Sequence, residues 1–416
     1  MEDQTALSYL SRRPGISGRI KSSPEDFLVE EILDDGTQLE LGNSFSRPDE
    51  PDGRFINFIL EKRDWSTSSA ISEIAKRLHS THKQFSVAGN KDKVATTVQL
   101  ASAQGTSKEA LLSLNVKDIS IRGAWIAKDK VRIGSLLGNR FTIKVKDAGA
   151  DARERVAEIA SELTGSFPNY FGSQRFGSTR KNTHEIGLKL LKNDFESAAI
   201  SYICDSEGEK NEEAKKAREQ LRSDLDFARA LNYFPKHLRL ERSMVAYLAK
   251  KPGDYLGSFK QLPRGMLLLF IHAVQSHVFN LLLSERIAEA KNEKQNSSPL
   301  NSSSLELERG EFFCSESFGF PDITSASDSG WIVGKIIGSE SPVNEREKEM
   351  LERLGIEKSS FRLKTIPEIA SKGTYRTLMA PLKDYSFNPE TTTFRFSLPA
   401  GSYATVAMRE FMDKKS

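Results

Sequence analysis

Short segments in which apolar and polar residues alternate predict β-strands in the N-terminal part of the chain. Residues 27–29 begin such a strand after a turn, and residues 55–60 are apolar enough for a buried strand. Residues 140–146 alternate apolar side chains with basic and polar ones, which indicates a half-buried strand with one basic face. Apolar residues three and four positions apart predict helices at 71–78 and 156–163, so both periods occur together, as in an α+β fold.

The middle of the chain has a different pattern, because helical spacing dominates residues 185–290. The mixed charges of residues 209–222 indicate a solvated helix face, and residues 263–290 predict a long helix with a wide apolar surface. Two serine-rich segments, 292–304 and 322–330, predict loops.

Strand patterns return toward the C-terminus. Residues 331–337 predict one strand, the alternation at 394–398 predicts a second, and residues 403–408 predict a third. We therefore predict a helix-rich domain inserted into an α+β domain that takes its last strands from the C-terminal end of the chain.

Length and composition narrow the class of protein. The 416 residues suit two domains, and 60 Lys and Arg against 57 Asp and Glu leave a net charge of +3, which neither favours nor excludes a nucleic-acid partner. The two cysteines, Cys204 and Cys314, indicate no disulfide framework, so we expect a reducing, cytoplasmic location. No apolar run reaches the ~18 residues of a membrane span, and the N-terminus lacks the form of a signal peptide, so we expect no membrane association.

The first candidate for chemistry is the segment 87–99. Its Gly-Asn pair predicts a tight turn, and β-branched residues after it predict a strand. Asp92 lies between Lys91 and Lys93, and nearby cations favour the ionised form of a carboxylate. A solvated Lys-Asp-Lys turn without function is the alternative interpretation.

The second candidate is the segment 167–177, which combines aromatic residues with Asn169, Gln174, Arg175 and two glycines. Aromatic faces stack on bases, Asn and Gln read base edges, and Arg binds phosphate. Glycines let the backbone approach a ligand closely. The alternative is an aromatic loop that packs against the core.

A third candidate is a group of basic residues in the helical region. Its members, opposed only by Glu241 and Asp254, are Lys236, His237, Arg239, Arg242, Lys250, Lys251, Lys260 and Arg264. Such local clustering is typical of a surface that binds a phosphate backbone, although a solvated helix face gives the same pattern.

Several common chemistries lack their motifs. The chain has no phosphate-binding loop, no dinucleotide-binding fingerprint, no HExxH and no nucleophile elbow. His79 and His82 have no cysteine or carboxylate at matching spacing, so we predict no metal site. His272 and His277 do not share a helix face and are interpreted as core or surface histidines.

Taken together, these segments resemble the TruD family of tRNA pseudouridine synthases. Five motifs in family order carry the resemblance over nearly the whole chain, at residues 26–31, 89–99, 169–177, 275–280 and 398–410. The chain departs from the family pattern at His277-Val278, where an aromatic residue and a leucine are expected in a predicted helix. Residues 292–304 do not align with the family.

The resemblance implies a fold and a function. The fold is a pseudouridine-synthase catalytic domain with a mixed, largely antiparallel sheet, formed by residues 1–178 and 372–416. A helix-rich TRUD domain, residues 179–371, is inserted into it, and the two form a cleft for RNA. The implied reaction converts uridine to pseudouridine, typically at position 13 of tRNA, with no cofactor and no metal. The expected partner is tRNA, and a monomer is the default expectation.

The resemblance also assigns roles to residues. Asp92 matches the catalytic aspartate, an anion that attacks covalently or that stabilises charge and moves a proton. Phe171 matches the aromatic residue that stacks on the flipped uridine, and Asn169 matches a residue that orients the site. Phe27 matches a further active-site aromatic residue. Either phenylalanine is alternatively a core residue.

Two cations complete the predicted site. Lys91 is expected to keep Asp92 ionised and to contact a phosphate. Arg175 is expected to bind phosphate, or else to pair with a core carboxylate.

Two other functions remain as alternatives. A non-catalytic tRNA-binding protein or RNA chaperone with the same cleft would bind tRNA and leave uridine unchanged. An acid/base hydrolase such as a glycosidase needs a second carboxylate at a suitable separation, and no motif offers one beside Asp92.

Overall fold

The computed structural model describes residues 7–293 and 305–414 of the chain. The strands are β1 (Phe27–Ile32), β2 (Phe55–Arg63), β3 (Phe85–Val87), β4 (Thr96–Ala103), β5 (Ile119–Ala127), β6 (Gly138–Lys144), β7 (Ser166–Pro168), β8 (Phe312–Ser317), β9 (Phe320–Ser327), β10 (Trp331–Ile336), β11 (Thr374–Thr377), β12 (Met379–Pro381), β13 (Lys383–Asn388) and β14 (Thr393–Pro399). The helices are α1 (Thr67–Arg77), α2 (Lys108–Leu112), α3 (Ala152–Leu163), α4 (Thr183–Leu191), α5 (Phe195–Cys204), α6 (Glu212–Asp224), α7 (Phe227–Tyr233), α8 (Arg239–Lys250), α9 (Tyr255–Phe259), α10 (Arg264–Glu293), α11 (Glu345–Arg353) and α12 (Ala404–Phe411). The predicted loop 292–304 lies, from residue 294 on, outside the described residues.

The largest sheet joins the N-terminal and C-terminal parts of the chain. It has eight strands in the order β13-β14-β6-β1-β4-β2-β5, and β3 also pairs with β4. Strands β1 and β4 are parallel, and the other pairs are antiparallel. The predicted mixed, largely antiparallel sheet is therefore confirmed, as is the return of the C-terminal strand pattern to it.

The parallel pair places two distant segments of the chain side by side. Leu28 of β1 lies opposite Thr96 of β4, so both strands begin at the same edge of the sheet. The residues that precede each strand, 18–26 and 88–95, consequently meet at that edge. One of these segments carries Asp92.

Two predicted elements are wrong. Residues 403–408 were predicted as a strand, but 404–408 belong to helix α12 and Tyr403 is its N-cap. The buried residues Ala404, Ala407, Met408 and Phe411 follow helical spacing, which the local alternation of apolar residues obscured. Residues 322–330, predicted as a loop, mostly belong to strand β9, which lies at the edge of a four-stranded sheet and is polar because it is largely exposed.

Helix α10 confirms the predicted long helix, and it corrects the expectation about membrane spans. One 18-residue window of it is apolar enough to cross a membrane, with a mean hydropathy of 1.7. However, 78% of that window is buried inside the protein, as in the central helix of a globular fold. Helix α4 packs along α10, so the helical region is arranged around it.

Residues 212–222 of the charged run 209–222 lie in helix α6, as predicted, but one of its charged residues, Arg218, is buried together with the apolar face. Arg218 is 1% exposed and donates to Glu241, with 2.9 Å between Nη2 and Oε1. It also donates to the carbonyl of Ile203 on the neighbouring helix. Arg218 therefore ties α5, α6 and α8 together, and the interpretation of the whole run as a solvated face is wrong at this position.

The predicted domain boundaries, after residues 178 and 371, stay a prediction. One hydrophobic cluster contains described residues from both proposed parts, among them Phe141, Phe270 and Phe396. The interface between the helical region and the large sheet is thus apolar.

A pair of buried histidines joins helices α4 and α10. The rings of His184 and His277 are 4.5 Å apart, and each lies edge-on to Phe176. Burial lowers the pKa of His184 to about 3, with a further contribution from His277, and burial lowers the pKa of His277 to about 4. His277 is therefore a core histidine, as one of the two sequence interpretations proposed.

These histidines lead us to expect a loss of stability in acid. Their unfolded pKa is near 6.5, so between pH 6.5 and about 4 the unfolded chain binds protons that the folded chain does not. Each histidine then lowers the free energy of unfolding by up to about 1.4 kcal/mol per pH unit as the pH falls. His277→Phe, which restores the aromatic residue of the family pattern, should remove about half of this dependence. Denaturant unfolding of both proteins across this range measures it, and equal slopes would contradict the assignment.

Candidate active site

Buried polar side chains hold the turn that carries Asp92. Gln99 donates to the carbonyl of Gly89 (3.0 Å), and the hydroxyl of Thr67 accepts the main-chain N–H of Lys91 (2.9 Å). The Lys62 ammonium donates to the carbonyl of Asp92 at 2.9 Å. Because Thr67, Gln99 and Lys62 are almost completely buried, these bonds fix the backbone of the turn from beneath.

Lys62 is an unusual support because its side chain is 1% exposed. Burial lowers its pKa to about 8, while the negative charge of Asp92 acts in the opposite direction. Its second hydrogen bond goes to the carbonyl of Trp65 at 2.6 Å. The ammonium therefore donates both of these hydrogen bonds to main-chain oxygens.

Lys91 does not lie beside the Asp92 carboxylate, which corrects its expected role. Its ammonium pairs with Glu31 at 2.5 Å, and both side chains are buried, at 5% and 0% exposed. Glu31 also accepts the main-chain N–H of Leu100 on β4. Lys91 is thus part of the core beneath the turn.

The cation that contacts Asp92 is Lys21. Its Nζ lies 3.1 Å from Asp92 Oδ1 and 4.1 Å from the ring centroid of Phe27. The fold brings Lys21 here because it precedes β1 at the edge where residues 88–95 precede β4. Phe27 itself is fully buried and packs edge-on to Phe141, and among the described residues its assigned contact with the site is the Lys21 ammonium. The sequence analysis missed Lys21, although it lies five residues before the motif at 26–31.

Gln174 connects the turn to the second candidate segment. Its Nε2 donates to Asp92 Oδ1 at 2.7 Å, from a short 3-10 helix, Ser173–Phe176. The two segments singled out by sequence therefore meet. Among the described residues, both assigned contacts of the carboxylate are made by Oδ1, and the side chain is 25% exposed. The carboxylate is therefore partly accessible to a ligand, and Oδ2 is the oxygen that these contacts do not use.

Helix α10 fixes the backbone and the arginine of the second segment. Asn280, which is fully buried, accepts the N–H of Phe171 at 2.8 Å and donates to its carbonyl at 2.9 Å. Ser276, one turn earlier, accepts from Arg175 Nε at 3.0 Å. The motif at 275–280 therefore positions the segment, with a role that its sequence alone did not reveal.

Asn169 lies in this site with every hydrogen-bonding position of its amide in use. Nδ2 donates to both the carbonyl and the hydroxyl of Thr377, at 3.1 and 2.9 Å. Oδ1 accepts from Arg376 Nη2 at 2.6 Å and from Ser402 at 2.9 Å. An amide has two N–H donors and two lone pairs, so this one is saturated by the protein.

Two arginines cover the ring of Phe171, which is 8% exposed. The guanidinium carbon of Arg376 lies 4.2 Å from the ring centroid, and that of Arg175 lies 5.5 Å from it. Phe279 and Tyr403 pack edge-on to the same ring. Enclosure lowers the pKa of Arg376 to about 10; Tyr403 opposes this shift and Arg175 adds to it. Sequence analysis missed Arg376, which no quoted motif contains.

The basic residues of 236–264 are mostly exposed, but two of them, both arginines, bind main-chain carbonyls of the protein. Arg242 donates to the carbonyls of Leu231 and Phe234 at the end of α7, and Arg264 donates to the carbonyl of Glu368. The exposed members that remain as a candidate phosphate-binding surface are Lys236, His237, Arg239, Lys250, Lys251 and Lys260.

Comparisons with known proteins agree on one family. The family model described as tRNA pseudouridine synthase D (TruD) matches residues 5–411. A probable tRNA pseudouridine synthase D from Thermococcus sibiricus is 35% identical over 436 residues, covering 97% of each chain. One from Thermococcus onnurineus is 36% identical over 432 residues, covering 98% of this chain and 97% of its own. The crystal structure of a putative TruD from Methanosarcina mazei superposes with a TM-score of 0.73 at 30% identity, covering 98% of this chain and 97% of that one.

Proposed function

Because this chain belongs to the TruD family of tRNA pseudouridine synthases, we propose that it isomerises uridine to pseudouridine in tRNA, at position 13. The reaction breaks the bond from uracil N1 to ribose C1′ and forms one from C5 to C1′, while the C5 proton is lost and N1 gains one. No oxidant or reductant is needed. The observation that carries the proposal is the accessible Asp92 carboxylate, held by Lys21 and Gln174 among residues of the family motifs.

Asp92 acts in this proposal through its second oxygen. Lys21 and Gln174 hold Oδ1, which orients the carboxylate. Oδ2 then faces the nucleotide, as a nucleophile or as the group that stabilises charge and moves the proton. The support for this role is the geometry of the contacts together with the match to the family motif.

The uridine has to leave the RNA stack, which costs a few kcal/mol. Stacking on an aromatic ring recovers about 1–3 kcal/mol, and Phe171 is the proposed ring. Since arginines cover it, one of them has to move. Within the described part of the chain, Arg376 is held by three hydrogen bonds and Arg175 by one, so we propose that the base displaces Arg175.

The test of this function is a map of pseudouridine in tRNA. Unmodified tRNA incubated with the protein should gain pseudouridine at position 13, and cells without the protein should lack it there. A protein that binds the tRNA and leaves every uridine unchanged would support the non-catalytic alternative. Release of free uracil would support a hydrolase. Pseudouridine formed only at another position would show that the proposed reaction is right and that position 13 is wrong.

We also propose a cytoplasmic location, a monomer, and a reaction without a cofactor. Cys204 and Cys314 are buried thiols, and burial raises their pKa to about 12 and about 11, so both are poorly reactive. Free thiols support a reducing compartment. The redox-neutral isomerisation supports catalysis by side chains alone.

A further inference from the structure

We propose that Arg376 binds a backbone phosphate beside the target uridine, and that Asn169 positions Arg376 and makes no contact with the substrate. This inference rests on the function proposed above and adds a residue to it. The resemblance to the family implies that Asn169 is the functional residue in this part of the site. We assign substrate contact to Arg376 and a supporting role to Asn169.

The protein saturates the hydrogen-bonding capacity of the Asn169 amide. Its four hydrogen-bonding positions are taken by Thr377, Arg376 and Ser402, and its side chain lies in a buried position. A bond to substrate would break one of these and leave a buried polar group without a partner. Asn169 is therefore suited to hold a neighbour in place.

Arg376 has N–H donors that the protein does not use. A guanidinium has five N–H donors, and three are used: Nε to the carbonyl of Asn169 (2.8 Å), Nη2 to Asn169 Oδ1 (2.6 Å) and Nη1 to the carbonyl of Gly401 (3.0 Å). One N–H on each terminal nitrogen is left over. These two donors are enough for two hydrogen bonds to the oxygens of a phosphate.

The charges around Arg376 favour an anionic ligand. Among the described residues, no carboxylate forms an ion pair with Arg376 or Arg175, and the cation nearest in effect to Arg376 is Arg175. Two partly buried cations without a neighbouring anion are costly, and the cost is offset when an anionic ligand binds. Uracil is neutral, so the phosphate of the nucleotide is the part of the substrate that supplies this charge.

The experiment pairs a change in the protein with a change in the RNA. Full-length wild-type protein and Arg376→Met are tested on tRNA in which the phosphate 5′ or 3′ of the target uridine is a neutral methylphosphonate. The nucleotide on the 5′ side of the neutral linkage carries a 2′-O-methyl group. The matched all-phosphate tRNA carries the same group at the same nucleotide. KM and single-turnover rate are measured for each pair.

With wild-type protein, one of the two neutral linkages should raise KM by about 10- to 100-fold. Arg376→Met should show a similar loss on the all-phosphate tRNA, and the neutral linkage should then add less than about 2-fold. A purely structural role for Arg376 would not create this coupling. Arg395→Met, an exposed arginine on β14, is the matched control and should keep the full effect of the neutral linkage.

Two results would overturn the inference. One is additive losses from Arg376→Met and the neutral linkage. The other is an unchanged KM of the wild-type protein on both neutral-linkage tRNAs. This second result does not depend on whether any variant folds. If Arg376→Met does not fold, Arg376→Gln, which keeps an amide donor near Asn169, replaces it. Wild-type protein that makes no pseudouridine in all-phosphate tRNA would reject the proposed function itself, which is a separate outcome.

Discussion

Asp92→Asn is expected to lower pseudouridine formation by at least about 10³-fold while the protein still folds and binds tRNA. The amide has the same shape as the carboxylate but cannot act as an anion. The side chain is 25% exposed, and Lys21 and Gln174 contact it at the surface, so the loss of charge should cost the fold little. The single-turnover conversion of uridine 13, with protein in excess, measures the effect.

Asp129→Asn is the matched control for this substitution. Asp129 is an exposed aspartate, 86% accessible, whose only assigned contact among the described residues is Arg132 at 3.7 Å. It should leave both activity and tRNA affinity unchanged. Normal product from Asp92→Asn would remove Asp92 from the reaction, and a folded variant that no longer binds tRNA would assign it to binding.

The proposed catalytic segment was predictable from sequence because its unusual residues are close together in the chain. The turn at 89–92 and the aromatic segment at 167–177 each concentrate unusual residue types in a short stretch. Their meeting through Gln174 and Asp92 follows from the resemblance to one family. Strand β6 was also predictable, since its buried Phe141 and Ile143 alternate with more exposed residues.

The partners of the site were not predictable, because they come from other parts of the chain. Lys21 reaches Asp92 through the parallel pairing of β1 and β4, and no local pattern specifies that register. Arg376 follows Asn169 by 207 residues and reaches it through strand β11. Helix α12 was misread because its apolar residues satisfy strand alternation and helical spacing over a short length.

Lys91 shows why sequence neighbours are poor guides to contacts in a turn. It precedes Asp92 directly, which suggested that its ammonium lies beside the carboxylate. In the loop at residues 88–95, however, the two side chains contact different partners on opposite sides of the backbone. Lys91 points into the core toward Glu31, while Asp92 points outward to Lys21 and Gln174.

Lys91→Met is therefore expected to destabilise the protein by about 3–5 kcal/mol, because it leaves Glu31 buried without its partner. Glu31→Met combined with Lys91→Met should recover most of this loss, since neither charge then remains in the core. Thermal and denaturant unfolding of the single and double variants measure the effect. Lys93→Met, which removes the exposed lysine on the other side of Asp92, is the matched control and should change stability little.

The same variants separate the two roles considered for Lys91. Below its unfolding temperature, Lys91→Met should bind tRNA with nearly wild-type affinity, because the lysine is 8% exposed and its ammonium is engaged with Glu31. If the variant is instead as stable as the wild type and binds tRNA at least about 10-fold more weakly, Lys91 contacts a phosphate. The ion pair would then break on RNA binding, and its charge would serve the substrate.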